Sequence, residues 1–155
     1  MTLDLETLET SFDLIAPRGE ELVEIFYARL FETAPAVKPL FAKTDLAKQK
    51  AMLLATLVLR RKSLRDLEAI TPRLRLLGAR HVAYGAQPEH YPVVADVLLA
   101  SMAEIAGDSW TEDVAAAWAG ALGLVATAML EGAEQAQAPR RPEPRAIHAT
   151  VAATA

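Results

Sequence analysis

Apolar residues recur along almost the whole chain at the three- and four-residue spacing of an α-helix. No stretch of the core region alternates apolar and polar residues in the way that a half-buried strand does. Prolines and glycines interrupt the helical pattern at short intervals and set the predicted helix ends. The sequence therefore predicts an all-α fold of unequal helices joined by short turns, which is more irregular than a four-helix bundle.

The interruptions divide the chain into consecutive segments. We expect a helix over 3–15, a second between Pro17 and Pro35, and a third from Asp45 to about residue 61. The intervening segment 34–45 is too rich in proline for a long helix and is predicted to form one short turn and a loop.

The second half of the chain is predicted in the same way. Thr71 and Pro72 have the residue types of a helix cap and first helical position, so a helix is expected from there to Gly85. Two long helices should follow, separated at Gly107 and Asp108.

Length and composition indicate one domain. A chain of 155 residues that is 52% hydrophobic can build a sizeable core. Residues 1–137 form the predicted domain. Residues 138–155 change to proline, arginine, alanine and threonine with little to bury, so we expect a disordered tail, in which His148 is incidental.

The charge balance disfavours two classes of partner. Sixteen basic and twenty acidic residues give a net charge of -4, so nucleic acid and anionic lipid are not expected to bind. The N-terminus lacks the features of a signal peptide, and no apolar run reaches the roughly 18 residues of a membrane span. We therefore expect a cytoplasmic protein with no membrane span.

Several kinds of chemistry are absent from the sequence. It contains no cysteine, which excludes disulfides, thiolate nucleophiles, iron–sulfur clusters and cysteine zinc sites. The glycine-rich nucleotide loop, the P-loop, the GxSxG elbow and the HExxH helix are also missing.

His81 is the first candidate ligand. It follows Leu77 by one helical turn near the end of a predicted helix, where one ring nitrogen can donate to a backbone carbonyl and leave the other for a metal. Zinc needs three or four protein ligands, and the chain has only three histidines. One histidine suffices for haem, because the porphyrin supplies four ligands. The alternative is a hydrogen-bonded core histidine.

Three further residues are ambiguous in isolation. Tyr27 has the pattern of a core tyrosine, Gln49 that of a solvated helix residue, and Phe41 that of a core anchor in a proline-rich turn.

Together, ordered motifs resemble single-domain bacterial globins, which are similar to the globin domain of flavohaemoglobins. The resemblance covers roughly residues 3–136. The motifs are "FYARLF" (26–31), "VKPLF" (37–41), "QKAML" (49–53), "LGARHVAYG" (77–85), "HYPVV" (90–94) and "AAWAGALG" (116–123).

This resemblance implies a globin fold of about seven to eight helices around a haem b pocket. His81 would be the proximal iron ligand, and Phe41 would pack against the porphyrin. Tyr27 and Gln49 would lie on the oxygen-binding face as hydrogen-bond donors, and Leu53 would set the size of that pocket.

Three other positions would contact the cofactor. Leu77 would lie against the bound group one turn from His81, and Arg80 could pair with a haem propionate. Tyr91 resembles the proximal tyrosine of the family, which there joins a glutamate to hydrogen-bond the proximal histidine.

The chain departs from the family pattern beside that tyrosine. Counting from Trp118, the glutamate position falls at Ala133, and a second family tyrosine position falls at Leu122. Glu131 and Glu134 are close in sequence, but one or two residues turn a helical side chain by about 100 to 200 degrees.

The resemblance implies reversible, tight oxygen binding for storage, delivery or scavenging, with NO and CO as further ligands. With a separate flavin reductase, the same site could carry out nitric oxide dioxygenation, so the enzyme question stays open. Two alternatives are a haem-based gas sensor that acts through a partner protein and a haem-free helical interaction module. Monomer and homodimer are both compatible with the sequence.

A basic cluster follows the third predicted helix. It is expected to be a solvated face, and the sharper alternative is a docking site for the reductase. Its members are Arg60, Arg61, Lys62 and Arg65.

Overall fold

The computed structural model describes residues 4–137, apart from the side chains at positions 59, 60, 62 and 67. These residues form six α-helices and four short 3₁₀-helices, and no strand occurs among them. The prediction of an all-α fold is therefore confirmed. The α-helices are α1 (Leu5–Ile15), α2 (Gly19–Thr33), α3 (Leu46–Arg60), α4 (Leu67–Ala83), α5 (His90–Ala106) and α6 (Glu112–Gln137).

The expected seven to eight helices exceed the six α-helices found within residues 4–137. Two connecting segments, Pro35–Phe41 and Arg61–Arg65, are 3₁₀-helices instead of α-helices. Pro39 disfavours an α-helix in the first segment, because it lies inside that segment and cannot donate a backbone hydrogen bond, whereas Pro35 at its start removes none. The tail prediction for 138–155 lies outside the described residues.

Aspartates begin three of the helices. The Asp4 carboxylate accepts a hydrogen bond from the Thr7 N–H at 3.1 Å, and that of Asp45 accepts one from the Ala47 N–H at 3.1 Å. The Asp66 carboxylate accepts from the Ala69 N–H at 3.2 Å. These caps satisfy amides that would otherwise have no partner in the first turn.

The predicted start of α4 was wrong. Thr71 and Pro72 lie inside the helix, which begins at Leu67 behind the Asp66 cap. The earlier start makes Ile70 part of α4 and packs it against α6, where it is 9% exposed and lies in a cluster with Ala128. This burial offsets the hydrogen bond that Pro72 cannot donate.

The core comprises three clusters of buried side chains. One joins α1 to α5 and α6 around Leu8, Met102 and Trp118. A second lies between α2, α5 and the 3₁₀-helix Pro35–Phe41, and the third joins α4 to α6. The second cluster includes Tyr27, with Phe41 and Leu53 packed against it. The third cluster lies on α4, the helix that carries His81.

Helix α6 is also long and apolar enough to cross a membrane by length and composition, and it is the one such helix within residues 4–137. The core helix of a soluble protein passes the same test. α6 packs against α1, α4 and α5.

Candidate functional site

The geometry of His81 leaves one ring nitrogen available as a ligand. Its Nδ1 lies 2.8 Å from the backbone carbonyl oxygen of Leu77. A carbonyl only accepts, so Nδ1 carries the proton and donates this hydrogen bond. In the neutral ring this hydrogen bond puts the lone pair on Nε2, which is the form that a metal binds. The side chain is half-buried and stacks edge-on against Tyr84, with ring centroids 5.4 Å apart.

The backbone after His81 turns away sharply at Gly85. Gly85 has a φ of 92°, a left-handed conformation that favours glycine. The Gly85 N–H donates to the Val82 carbonyl and the Ala86 N–H donates to the His81 carbonyl, each at 3.0 Å. This pair of hydrogen bonds is a Schellman motif, and it fixes the last turn of α4, where His81 lies. The sequence had predicted that this helix ends at Gly85.

Tyr27 and Gln49 come together from two different helices. Tyr27 on α2 is 4% exposed, and the side chain of Gln49 on α3 lies within interaction range of its hydroxyl. Burial raises the pKa of the Tyr27 hydroxyl, and the nearby Gln49 side chain lowers that pKa in part. The phenol therefore stays protonated at neutral pH and can act as a donor.

Aromatic and aliphatic side chains surround Tyr27. Its ring packs edge-on against Phe41, with centroids 5.9 Å apart, and Phe31 lies against both. Leu53, one turn after Gln49, packs on the same cluster. The structure thus brings together four residues that the sequence singled out: Tyr27, Phe41, Gln49 and Leu53.

No described contact joins the His81 ring to this Tyr27 cluster. His81 and Leu77 lie on α4, which packs chiefly on α6, whereas the cluster lies between α2, α3 and α5. A flat cofactor bound between α4 and the Tyr27 cluster would need His81 and that cluster to be out of contact with each other.

Tyr91 lies at the start of α5 with an unusual hydroxyl. That oxygen is buried and has no hydrogen-bond partner within residues 4–137, and burial raises the pKa of the Tyr91 hydroxyl. At the family's glutamate position, Ala133 is 8% exposed. Glu131 instead pairs with Arg75 at 2.9 Å on the surface, and Glu134 is exposed. The structure therefore gives Tyr91 no carboxylate partner.

Leu122, at the second family tyrosine position, lines an apolar cavity of about 40 Å³ between α1, α2, α3, α5 and α6. No tyrosine hydroxyl is available there.

Half of the basic cluster makes ion pairs within the chain. Arg61 contacts Asp13 at 2.8 Å and Glu9 at 2.7 Å, and Arg65 also pairs with Glu9. These ion pairs connect α1 to the 3₁₀-helix Arg61–Arg65, so this half of the cluster is more than a solvated face. The side chains of Arg60 and Lys62 lie outside the described part of the structure.

Arg80 lies beside His81 on the exposed side of α4. Within residues 4–137 it forms no ion pair, so its guanidinium is available to an anionic group near His81.

Sequence comparison shows to which family the chain with this site belongs. The family model described as Globin matches residues 24–129. The chain belongs to the globin family. The matched region begins in α2 and ends in α6, and it contains all the predicted site residues.

The most similar curated relatives include flavohemoproteins. The globin is 29% identical to the flavohemoprotein of Bacillus subtilis over 128 residues, which are 81% of this chain and 32% of the relative. It is 32% identical to that of Chromobacterium violaceum over 126 residues, 79% of this chain and 31% of the relative. This globin therefore spans about a third of the length of these relatives.

Solved structures share the fold. A bacterial globin from Campylobacter jejuni has a TM-score of 0.72 at 24% identity, covering 84% of this chain and 94% of its own. A flavohemoglobin from Malassezia yamatoensis with bound FAD and heme has a TM-score of 0.68 at 21% identity, covering 84% of this chain and 36% of its own.

Membership of the globin family makes haem the cofactor of this chain. The residues present fit it: His81 offers one unprotonated nitrogen on a fixed ring, and apolar and aromatic side chains line the opposite helices.

Sequence reasoning missed two glycines on facing sides of α4 and α6, Gly78 and Gly132. The available signal was their position inside long helices, where glycine is unfavourable unless close packing requires it.

Proposed function

We propose that this globin binds oxygen reversibly and tightly at a haem iron that is held by His81. Tyr27 and Gln49 supply hydrogen-bond donors on the opposite, ligand-binding side. The observation that supports this most is the buried, protonated Tyr27 hydroxyl, beside the Gln49 side chain among aromatic and aliphatic side chains.

The residues of the chain have distinct proposed tasks. When bound, haem supplies a ferrous iron that takes up O₂, CO or NO. The Leu77 carbonyl orients the His81 ring and leaves the Nε2 lone pair free, so Nε2 would be the atom that holds the iron. Tyr27 and Gln49 stabilise negative charge on a diatomic ligand, and a dry environment strengthens those bonds.

The remaining proposed contacts hold the cofactor. Phe41 and Leu77 pack against the porphyrin, and Leu53 limits the space for the ligand. Arg80 pairs with a propionate. Tyr91 fills space on the His81 side of the haem and offers a hydroxyl donor there, without an anionic partner.

Oxygen dissociation rates test the distal assignment. If each donor contributes about 1–3 kcal/mol, Tyr27→Phe and Gln49→Leu should each release oxygen about ten-fold to a hundred-fold faster than the parent, by stopped-flow displacement with CO. The parent and Gln135→Leu are the controls, because Gln135 is exposed near the end of α6. Rates for the two distal variants equal to those of the controls would contradict the assignment.

A second candidate function is nitric oxide dioxygenation with electrons from a separate flavin reductase. Its support is the similarity to flavohemoproteins, of which this globin spans about a third. The oxygenated protein should consume NO and form nitrate, and steady turnover should require an added reductase with NADH. Formation of nitrate no faster than in a haem-only solution would refute this candidate. We place either function in the cytoplasm.

A further inference from the structure

The helix that carries His81 is held by an unusually close contact with α6. A Cβ atom built at Gly78 on α4 would overlap the backbone carbonyl of Met129 on α6. A Cβ atom built at Gly132 on α6 would overlap the backbone carbonyl of Arg75 on α4. Each glycine thus receives the backbone of the other helix.

The two contacts are reciprocal. The contacting positions are separated by three residues on both helices, so they lie about one turn apart. Helices usually pack with their axes 8–10 Å apart, depending on the side chains between them. With no side chain at either point, the spacing of α4 and α6 is set by backbone against backbone, which cannot yield by a change of rotamer.

Neighbouring contacts fix the same crossing from both sides. Ile70 and Leu74 pack with Ala128 in a buried cluster on one side. Arg75 and Glu131 form a 2.9 Å ion pair beside the crossing. α6 is by far the main neighbour of α4, so this one contact surface determines where α4 lies.

His81 follows Gly78 by three residues, about 4.5 Å along the helix axis. The Leu77 carbonyl that orients the His81 ring belongs to the residue before Gly78. A displacement of α4 at Gly78 is therefore transmitted directly to the ring.

We propose that Gly78 and Gly132 are positioning residues for the iron ligand: their backbone contact sets the position of His81 relative to the haem. The inference rests on the proposed ligation by His81. It assigns a role to two residues that touch neither haem nor oxygen.

The test compares three alanine variants of the haem-loaded protein. Gly78→Ala and Gly132→Ala add the Cβ atom that overlaps the other helix. Gly123→Ala is the matched control, because Gly123 also lies on α6 and a Cβ atom there has no neighbouring atom within 4 Å. All three gain the usual helix propensity of alanine, so that effect cancels. The readouts are the iron–histidine stretching band of the ferrous protein, measured by resonance Raman, and the rate of haem loss to an acceptor apoprotein.

We expect the iron–histidine band to shift in Gly78→Ala and Gly132→Ala and haem loss to accelerate about ten-fold or more. Gly123→Ala should match the parent in both. If the two variants instead behave as Gly123→Ala does while His81 still binds the iron, the inference fails and the proposed function stands.

A second background separates positioning from general damage to the pocket. In His81→Gly supplied with imidazole, the iron ligand is no longer attached to α4. Adding Gly78→Ala there should leave the iron–imidazole band unchanged. A shift of that band as large as in the His81 protein would overturn the inference.

The remaining outcomes are also decisive. If neither Gly78→Ala nor Gly132→Ala folds, as judged by far-UV circular dichroism, the crossing is a folding determinant and the inference is withdrawn. If the parent itself does not bind haem through His81, its spectra show this before any glycine variant is made, and the proposed function fails first.

Discussion

Two tyrosines with buried hydroxyl groups, the buried Tyr27 and the half-buried Tyr91, differ in the partners of those hydroxyl groups. Tyr27 has Gln49 as its partner, whereas the Tyr91 hydroxyl has none among the described contacts. Leaving a buried hydroxyl without a partner costs about 1–3 kcal/mol. At neutral pH, Tyr91 therefore lowers the stability of the chain.

Replacing Tyr91 tests this directly. We expect Tyr91→Phe to raise the free energy of unfolding of the haem-free protein by about 1 kcal/mol at pH 7, measured by urea denaturation. Tyr27→Phe, which also removes the interaction with Gln49, should not stabilise it. A loss of more than about 1 kcal/mol in Tyr91→Phe would show that its hydroxyl has a partner.

The same variant predicts a pH dependence. Burial raises the pKa of Tyr91 in the folded state, so above about pH 10 the unfolded chain releases this proton first. Below about pH 10 Tyr91 is protonated in both states, so its raised pKa does not change the stability with pH. Between about pH 10 and the raised pKa, the free energy of unfolding falls as the pH rises. The stability of Tyr91→Phe should therefore fall less steeply with pH than that of the parent above pH 10, and parallel curves would contradict this.

Among the elements, α1 is joined to α6 by one buried hydrogen-bond network. The Trp118 indole N–H donates to the Ser11 hydroxyl at 2.8 Å, and that hydroxyl donates to the Thr7 carbonyl at 2.6 Å. Both side chains are at most 7% exposed. Removing the hydroxyl leaves the indole N–H without its partner in the core.

Ser11→Ala should therefore lower the free energy of unfolding by about 1–3 kcal/mol. Ser101→Ala is the matched control: Ser101 is 0% exposed, but its hydroxyl donates only to the Val97 carbonyl of its own helix. That carbonyl keeps its backbone partner in the variant, so the control should change stability by less than about 0.5 kcal/mol. Equal losses in the two variants would refute the anchoring role.

The element boundaries show how far the sequence could be interpreted. Local chemistry sets the ends of α2, α4 and α5, and the markers Pro35, Gly85 and Gly107 predicted those ends correctly. The start of α4 was wrong because it depends on packing of Ile70 against α6, which is not a local property. In the site, the family resemblance alone implied that Tyr27 and Gln49 lie on the same, oxygen-binding face, because each residue in isolation looked like an ordinary core or surface position.

At the scale of the whole molecule, the contacts between distant segments could not be predicted from the sequence. The Gly78–Gly132 crossing joins residues 54 positions apart, and two glycines in long helices do not reveal that they face each other. The ion pairs of Arg61 and Arg65 with α1 depend on the same kind of long-range placement. These contacts restrict what the basic cluster can offer to a reductase, because Glu9 and Asp13 already neutralise part of it.

Every proposed role in the whole molecule depends on haem ligation by His81. The most direct measurement is the absorption spectrum of the ferric, ferrous, oxygenated and CO-bound protein, for the parent and for His81→Ala, prepared with added haem. We predict a strong Soret band and a stable oxygenated form for the parent, and loss of normal ligation in His81→Ala that imidazole restores in His81→Gly. A parent without a Soret band, or a His81→Ala variant with unchanged spectra, would contradict the account.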